Sequence, residues 1–248
     1  MLDKIMNLFK KKENRTHFTS AIIVAGGNGT RIGGEIPKQH LPVCGKEIVV
    51  HAMLAFEECP LIDEIIPVCR EGEQIIYDDY KIKYGITKLR AAVVGGDTRQ
   101  ESVLRGFEHV NRKCEYVAIH DGVRCLITPE DIENVIRTAY EYRAATASSS
   151  AVDTVKIADR NKFIESTPDR NFVYQASTPQ VFEHKLYTTC AYSALKDGVS
   201  VTDDNALAER LGFKVKLVET NSINIKVTRP DDISIAEAIL TKRENNRT

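Results

Sequence analysis

Long apolar runs are missing from this sequence. No stretch approaches the roughly 18 residues a membrane helix needs, so no membrane partner is expected. The first residues do not read as a signal peptide either. Leu2, Ile5, Met6, Leu8 and Phe9 alternate with charge, and Lys10–Lys12 follow them rather than precede them. An excess of one charge is also lacking. Thirty-four Lys and Arg stand against 35 Asp and Glu, for a net charge of −1, so there is no global basic field and nucleic acid is not a favoured partner. The six cysteines (Cys44, Cys59, Cys69, Cys114, Cys125, Cys190) form no CxxC pair, and no HExxH is present. A disulfide framework and a zinc site are both disfavoured. Unpaired thiols in a reducing, cytoplasmic compartment are expected. Internal repeats and low-complexity linkers are absent too. One domain is expected over residues 19–244, preceded by an N-terminal extension over 1–18.

Apolar residues make up 42% of the 248 positions, enough for a core without staples. Ala21–Ala25 is a short apolar run ending in glycines, which reads as a buried parallel strand. Glu64–Val68, Ala91–Val94, Tyr116–His120 and Ala144–Ala151 are further strand candidates. Helical spacing lies between them. Val49, Met53 and Phe56 share one face. Val103, Phe107 and Val110 share another. Ile132, Val135, Ile136 and Tyr140 follow the Thr128-Pro129-Glu130-Asp131 start signal. Alternating strands and helices predict an α/β fold, a mainly parallel, Rossmann-like sheet with helices on both faces. The alternation breaks near residue 150. Thr154–Ile157, Phe163–Ser166 and Phe172–Gln175 are short strand-like pieces, with a turn at Asp159–Lys162, and predict a β-ribbon arm over about 149–176. Helices near 182–195 and 203–211, strands near 214–218 and 223–227, and a helix from Pro230 complete the pattern.

The glycine loop Ala25-Gly26-Gly27-Asn28-Gly29-Thr30-Arg31 follows the first strand. Glycines there let the backbone approach a ligand closely, and ligands of open α/β sheets sit beyond the C-terminal strand ends. GxGxxG fails because position 32 is Ile32, and no GxxxxGK[ST] exists. The cations Arg31 and Lys38 after the loop suit a triphosphate, whose departing pyrophosphate they would neutralise.

Val24 to Gln39 (VAGGNGTR…PKQ) resembles the signature of sugar-nucleotide-type nucleotidyltransferases. Five further motifs occur in order: Val94–Val103, Ile119–Arg124, Thr178-Pro179-Gln180, Thr202-Asp203 and Asn224–Pro230. Together they are similar to the 2-C-methyl-D-erythritol 4-phosphate cytidylyltransferase family of non-mevalonate isoprenoid synthesis. The resemblance implies that CMP passes from CTP to a sugar-alcohol phosphate. It implies that Ala25, Gly26, Gly27, Gly96, Asp97 and Ser102 hold CTP, with 96–102 reading the cytosine edge. Arg31 and Lys38 would stabilise the transition state. Asp121 would hold Mg²⁺ or another divalent cation. Arg124, Thr154, Arg170, Thr178, Thr202 and Lys226 would line the acceptor site. Thr154 and Arg170 would do so across a homodimer, in which the arm embraces a second subunit.

Each residue has a plainer reading. Asp121 could cap a turn, Ser102 open a helix and Asp97 add charge to a helix start. Thr154, Arg170 and Lys226 could be surface, and His120 packed. The family's loop beside Arg124 often carries small residues and a proline, where this chain has Gly122-Val123 and Cys125. A ribitol-5-phosphate cytidylyltransferase shares the loop, the HD…R motif and TPQ, although Thr202-Asp203 and NIKVTRP favour the isoprenoid family. A non-catalytic nucleotide-binding or scaffold protein is the alternative of another class.

Overall fold

The computed structural model describes residues 17–27, 36–221 and 223–246. Its centre is a seven-stranded sheet. In chain order its strands are β1 (Thr19–Val24), β4 (Glu64–Cys69), β5 (Val93–Val94), β6 (Tyr116–Asp121), β7 (Ala144–Ser150), β10 (Tyr174–Glu183) and β11 (Lys216–Glu219), while β2 (Pro42–Val43) and β3 (Lys46–Glu47) form a separate hairpin. In space they run β11-β7-β10-β6-β1-β4-β5. β1 pairs in parallel with β4 and β6, β4 with β5, and β7 with β11. β10 alone runs antiparallel, between β6 and β7. A mainly parallel sheet is therefore observed, as the alternation predicts.

Neighbouring residues of β1 face opposite ways, so Ile22 and Ile23 enter different cores. Ile23, Ile65 and Ala118 pack under α1 (Ile48–Glu58), α2 (Gln74–Tyr84) and α4 (Pro129–Tyr142). Ile22, Val68 and Ile119 pack under α3 (Arg99–Phe107), α5 (His184–Lys196) and α6 (Asp204–Arg210). Both faces are covered, which is why the central strands are nearly continuous apolar runs. The helical faces expected from spacing are the buried ones: Val49, Met53 and Phe56 on α1, and Ile132, Val135 and Ile136 on α4. Removing a side chain such as Phe56 would cost about 3–5 kcal/mol. α3 comes close to the sheet because Gly106 has no side chain. A Cβ there would lie 2.7 Å from Val68 and 2.8 Å from Ile22.

The predicted ribbon is present. β8 (Ile157–Ala158) pairs antiparallel with β9 (Ile164–Ser166), beyond the ends of β7 and β10, which pair from Ser150↔Tyr174 inward. Most side chains from 149 to 176 are exposed.

Three elements differ from the sequence reading. Residues 223–228 form no strand; they cross the mouth of the sheet before α7 (Pro230–Asn245), with Val227 N–H donating to the Val123 carbonyl. α2 carries a largely polar surface that hides its short buried face of Tyr77 and Tyr80, and Gly85 ends it with φ 64°. β10 is ten residues long and contains Thr178-Pro179-Gln180, where only a short strand over 172–175 is expected.

Candidate active site

The C-terminal ends of β1, β4, β5 and β6 open into a cleft of about 690 Å³. One wall is backbone. Val68 and Cys69, closing β4, offer carbonyls to Ala25 N–H at 2.7 Å and Gly95 N–H at 2.8 Å. The loop after β1 and the loop before α3 are thus hung from the same strand end. Ser102, buried on α3, accepts from Gly96 N–H at 3.1 Å and donates to the Thr98 carbonyl at 2.8 Å. A Cβ on Gly95 would sit 2.7 Å from Ser102 Oγ, and one on Gly96 would sit 2.5 Å from Glu101 Cβ. Glycine is required at both places. Thr98 caps α3, its side chain accepting from Glu101 N–H while Glu101 accepts from Asp97 and Thr98 N–H groups. The helix-opening role considered for Ser102 therefore falls to Thr98.

The other wall is charge. Asp121 ends β6, only 7% exposed. Its Oδ1 accepts from Arg99 Nε at 3.1 Å and its Oδ2 from Lys226 Nζ at 2.9 Å, with Arg124 Nε 3.7 Å from Oδ2. Burial works to raise its pKa, but Arg99, Lys226 and Arg124 outweigh that and hold it well below the usual carboxylate range. Arg99 is itself anchored. Its Nη1 donates to Asp204 Oδ2 at 2.7 Å, and Asp204, fully buried at the start of α6, also accepts from Tyr187 at 2.8 Å. Burial opposes the charge on Arg99, and Asp204 and Asp121 more than restore it.

Behind Asp121 lies a second support. His120 Nε2 donates to the Arg124 carbonyl at 3.2 Å. Its Nδ1 then accepts from the Thr178 hydroxyl at 3.0 Å, whose oxygen accepts Asp121 N–H at 3.0 Å. Burial pushes the His120 pKa down to about 4, so the ring is neutral at pH 7. His120 is packed, as the plainer reading has it.

Of the residues singled out from sequence, Ala25, Gly26, Gly27, Lys38, Gly96, Asp97, Ser102, Asp121 and Lys226 line this one cleft. Arg31 lies outside the described residues. Arg124 is not in the lining but reaches Asp121 from the side, its Nη1 donating to the Asn224 carbonyl at 2.8 Å. Thr178 is buried behind Asp121 rather than in the lining, its hydroxyl oxygen accepting from Asp121 N–H. Thr202 is exposed beside Asp203, the cap of α6. Thr154 and Arg170 are exposed on the arm, away from this cleft, with Arg170 Nη1 bonded to the Val152 carbonyl at 2.9 Å. Sequence reasoning missed Arg99, Asp204 and Arg70. Arg99 lies inside the Val94–Val103 motif and Asp204 follows Thr202-Asp203, but their pairing spans 105 positions and leaves no local pattern.

A cleft of this size, with glycine backbone on one side and an ion-paired carboxylate among cations on the other, suits a nucleotide's phosphate chain. A mainly parallel α/β sheet holds its ligands at this end of the strands. The chain belongs to the 2-C-methyl-D-erythritol 4-phosphate cytidylyltransferase family, whose sequence profile matches residues 19–242. The enzyme of that name from Caldanaerobacter subterraneus is 43% identical over 224 residues, 90% of this chain and 99% of the relative. One from Syntrophus aciditrophicus is 40% identical, over 90% of this chain and 96% of its own. The crystal structure of 4-diphosphocytidyl-2C-methyl-D-erythritol synthase from Anaerococcus prevotii superposes with a TM-score of 0.81 at 34% identity, over 91% of this chain and 99% of that one.

Proposed function

We propose that this chain transfers CMP from CTP to 2-C-methyl-D-erythritol 4-phosphate and releases pyrophosphate, in the cleft at the ends of β1, β4, β5 and β6. One observation carries the reading. Ala25–Gly27, Lys38, the Gly96–Ser102 segment and Asp121 come from four separate stretches of sequence and meet around one cavity. The acceptor's phosphate oxygen attacks the α-phosphorus of CTP in line. A new P–O bond forms as the bond to pyrophosphate breaks. No general base is required, because a phosphate monoester with a second pKa of about 6 is already mostly dianionic at pH 7.

The residues divide the labour. Ala25, Gly26, Gly27, Gly96, Asp97 and Ser102 hold the nucleotide. Lys38, with Arg31 as its expected companion, neutralises the charge that builds on the leaving group. Lys226 and Arg124 take the acceptor's phosphate side. Asp121 fits a divalent cation held jointly with phosphate oxygens. Mg²⁺ is ordinarily bound by one or two carboxylates plus phosphates, and among the described residues no group of three or more His, Cys, Asp or Glu forms a cage of its own. Such an ion would supply charge neutralisation between the phosphates. Arg99 keeps Oδ1, while half-exposed Lys226 can yield Oδ2.

The active form is a homodimer joined through the arm. Val152, Phe163 and Phe172 there are 81%, 73% and 82% exposed, three large apolar side chains on one arm whose burial against another chain would be favourable. Thr154 and Arg170 would then serve the partner's cleft. No helix among the described residues is long and apolar enough to cross a membrane. All six cysteines are unpaired, consistent with a cytoplasmic setting.

The decisive assay follows pyrophosphate release from CTP with 2-C-methyl-D-erythritol 4-phosphate or ribitol 5-phosphate, with and without a divalent cation. Release with the first acceptor alone, dependent on the cation, is expected. A preference for ribitol 5-phosphate overturns the substrate, and no release with either overturns the reaction. Sedimentation of the double variant Phe163→Asp, Phe172→Asp should show monomers where the unaltered chain shows dimers.

A further inference from the structure

Arg70, the residue after β4, carries no motif and faces the glycine loop from across the cleft mouth. Its Nη2 donates to the Gly27 carbonyl at 2.6 Å and its Nε lies 3.4 Å from the Gly26 carbonyl. One guanidinium thus spans two consecutive carbonyls of the loop. A free loop carbonyl is the wrong pole for a phosphate, since its oxygen repels an anion. Fixing Gly26 O also turns the N–H of the same peptide unit, that of Gly27, to the opposite side, because the peptide is planar and trans. Loop position is fixed from the same strand end: a Cβ on Gly26 would lie 3.5 Å from the Cys69 carbonyl group, so the loop is seated against β4 one residue before Arg70.

We propose that Arg70 is a positioning residue for the nucleotide's phosphate chain. It occupies the two carbonyl oxygens of Gly26 and Gly27, fixes that turn of the loop, and adds a cation to the rim of the cleft. The inference rests on the nucleotide reading of the cleft and deepens it, since it separates recognition of the phosphate chain from recognition of the cytidine. Arginine suits the task where lysine does not. Its planar fork meets two acceptors at once, whereas an ammonium is a point charge.

The test compares binding of CMP and CTP to the full chain by calorimetry, for the unaltered protein, Arg70→Gln and Arg70→Lys, with thermal unfolding as a check on folding. Arg70→Gln should weaken CTP about tenfold or more, the scale of a hydrogen-bonded charge, and change CMP less than about twofold. Arg70→Lys should lie between, again with CTP alone affected. Should both variants lose CMP and CTP in parallel, Arg70 merely supports the fold. Should neither variant change CTP binding, the clamp has no role. Either result overturns the proposal, and if Arg70→Gln does not fold, the Arg70→Lys comparison decides it. The assay stands apart from turnover: an unaltered chain that binds CTP more tightly than CMP but releases no pyrophosphate would sink the reaction and leave the clamp standing.

Discussion

The two walls of the cleft are built in opposite ways. The wall of Ala25–Gly27 and Gly95–Gly96 is backbone, positioned by main-chain hydrogen bonds to one strand end and by Gly95 and Gly96, where a Cβ would clash with Ser102 and Glu101. The wall around Asp121 is side-chain charge, positioned by partners from β6, α3, α6, and the crossing segment before α7. The backbone wall is held chiefly by neutral main-chain bonds, with the Arg70 and Arg105 guanidiniums donating to its carbonyls from outside. The charged wall is a compensated set, so removing one member leaves the others exposed to each other in a half-buried place. Loss of a charge beside the backbone wall should therefore change binding or turnover and leave folding intact, whereas loss of one from the charged wall should also cost stability.

Asp121→Asn tests that contrast most severely. It removes the one anion that Arg99, Lys226 and Arg124 share, and with it the carboxylate proposed to hold a divalent cation. Turnover should fall by about 10²–10³ or more, on the scale of losing one charge-stabilising group. Lys38→Ala removes a cation at the edge of the backbone wall. Its Nζ donates to the Val227 carbonyl at 3.3 Å. It should lower turnover by about 10² while CTP affinity changes little. Unchanged turnover would remove Lys38 from the mechanism. Asp204→Asn sharpens the comparison from behind the wall. Asp204 never lines the cleft, yet from full burial it pairs with Arg99, which does line it. Breaking a buried pair at one partner costs about 3–5 kcal/mol, so the unfolding midpoint should drop steeply. A stability loss within a few tenths of a kcal/mol would show that the anchor is not needed.

The same contrast governs how much could be read from the sequence. The backbone wall was legible because glycine is needed where the chain bends or approaches closely, and that need is local. Strand β1, the loop after it and the Gly95-Gly96 turn all announce themselves within a few residues. The charged wall was half legible. Asp121 stands at the end of an apolar run and is conspicuous. Its fixing by Arg99 through Asp204 depends on folding that brings positions 99, 121 and 204 together, and no short pattern encodes it. The segment 223–228 misled for a related reason. Its alternation of Ile223, Ile225 and Val227 looks like a strand edge, but Val227 is buried by docking on the Val123 loop rather than by pairing in the sheet. α2 was invisible because a helix that buries only Tyr77 and Tyr80 leaves too faint a stripe.

The smallest expected effect concerns the support behind the charged wall and separates His120 from Asp121 by pH. In the unfolded chain a histidine takes up its proton near 6.5, whereas burial delays that to about 4 in the folded chain. Between those values the unfolded state binds more protons, so stability is full above about pH 6.5 and declines as pH falls toward 4. The slope is at most about 1.4 kcal/mol per pH unit for one site. Asp121 acts in the next window down. Its folded pKa lies below the unfolded value near 3.8, so its contribution is present above that value and is lost only as the solution is made more acid. His120→Gln keeps a donor for the Arg124 carbonyl but has no proton to take up. It should flatten denaturant-derived stability between pH 6.5 and 4 and leave the loss below pH 4 in place. Burial also pushes the pKa of His51 and His184 down. Although burial works to raise that of Glu47, hydrogen bonds hold Glu47 and Glu115 below the usual carboxylate range, so a slope that survives in the variant belongs to these groups and not to His120.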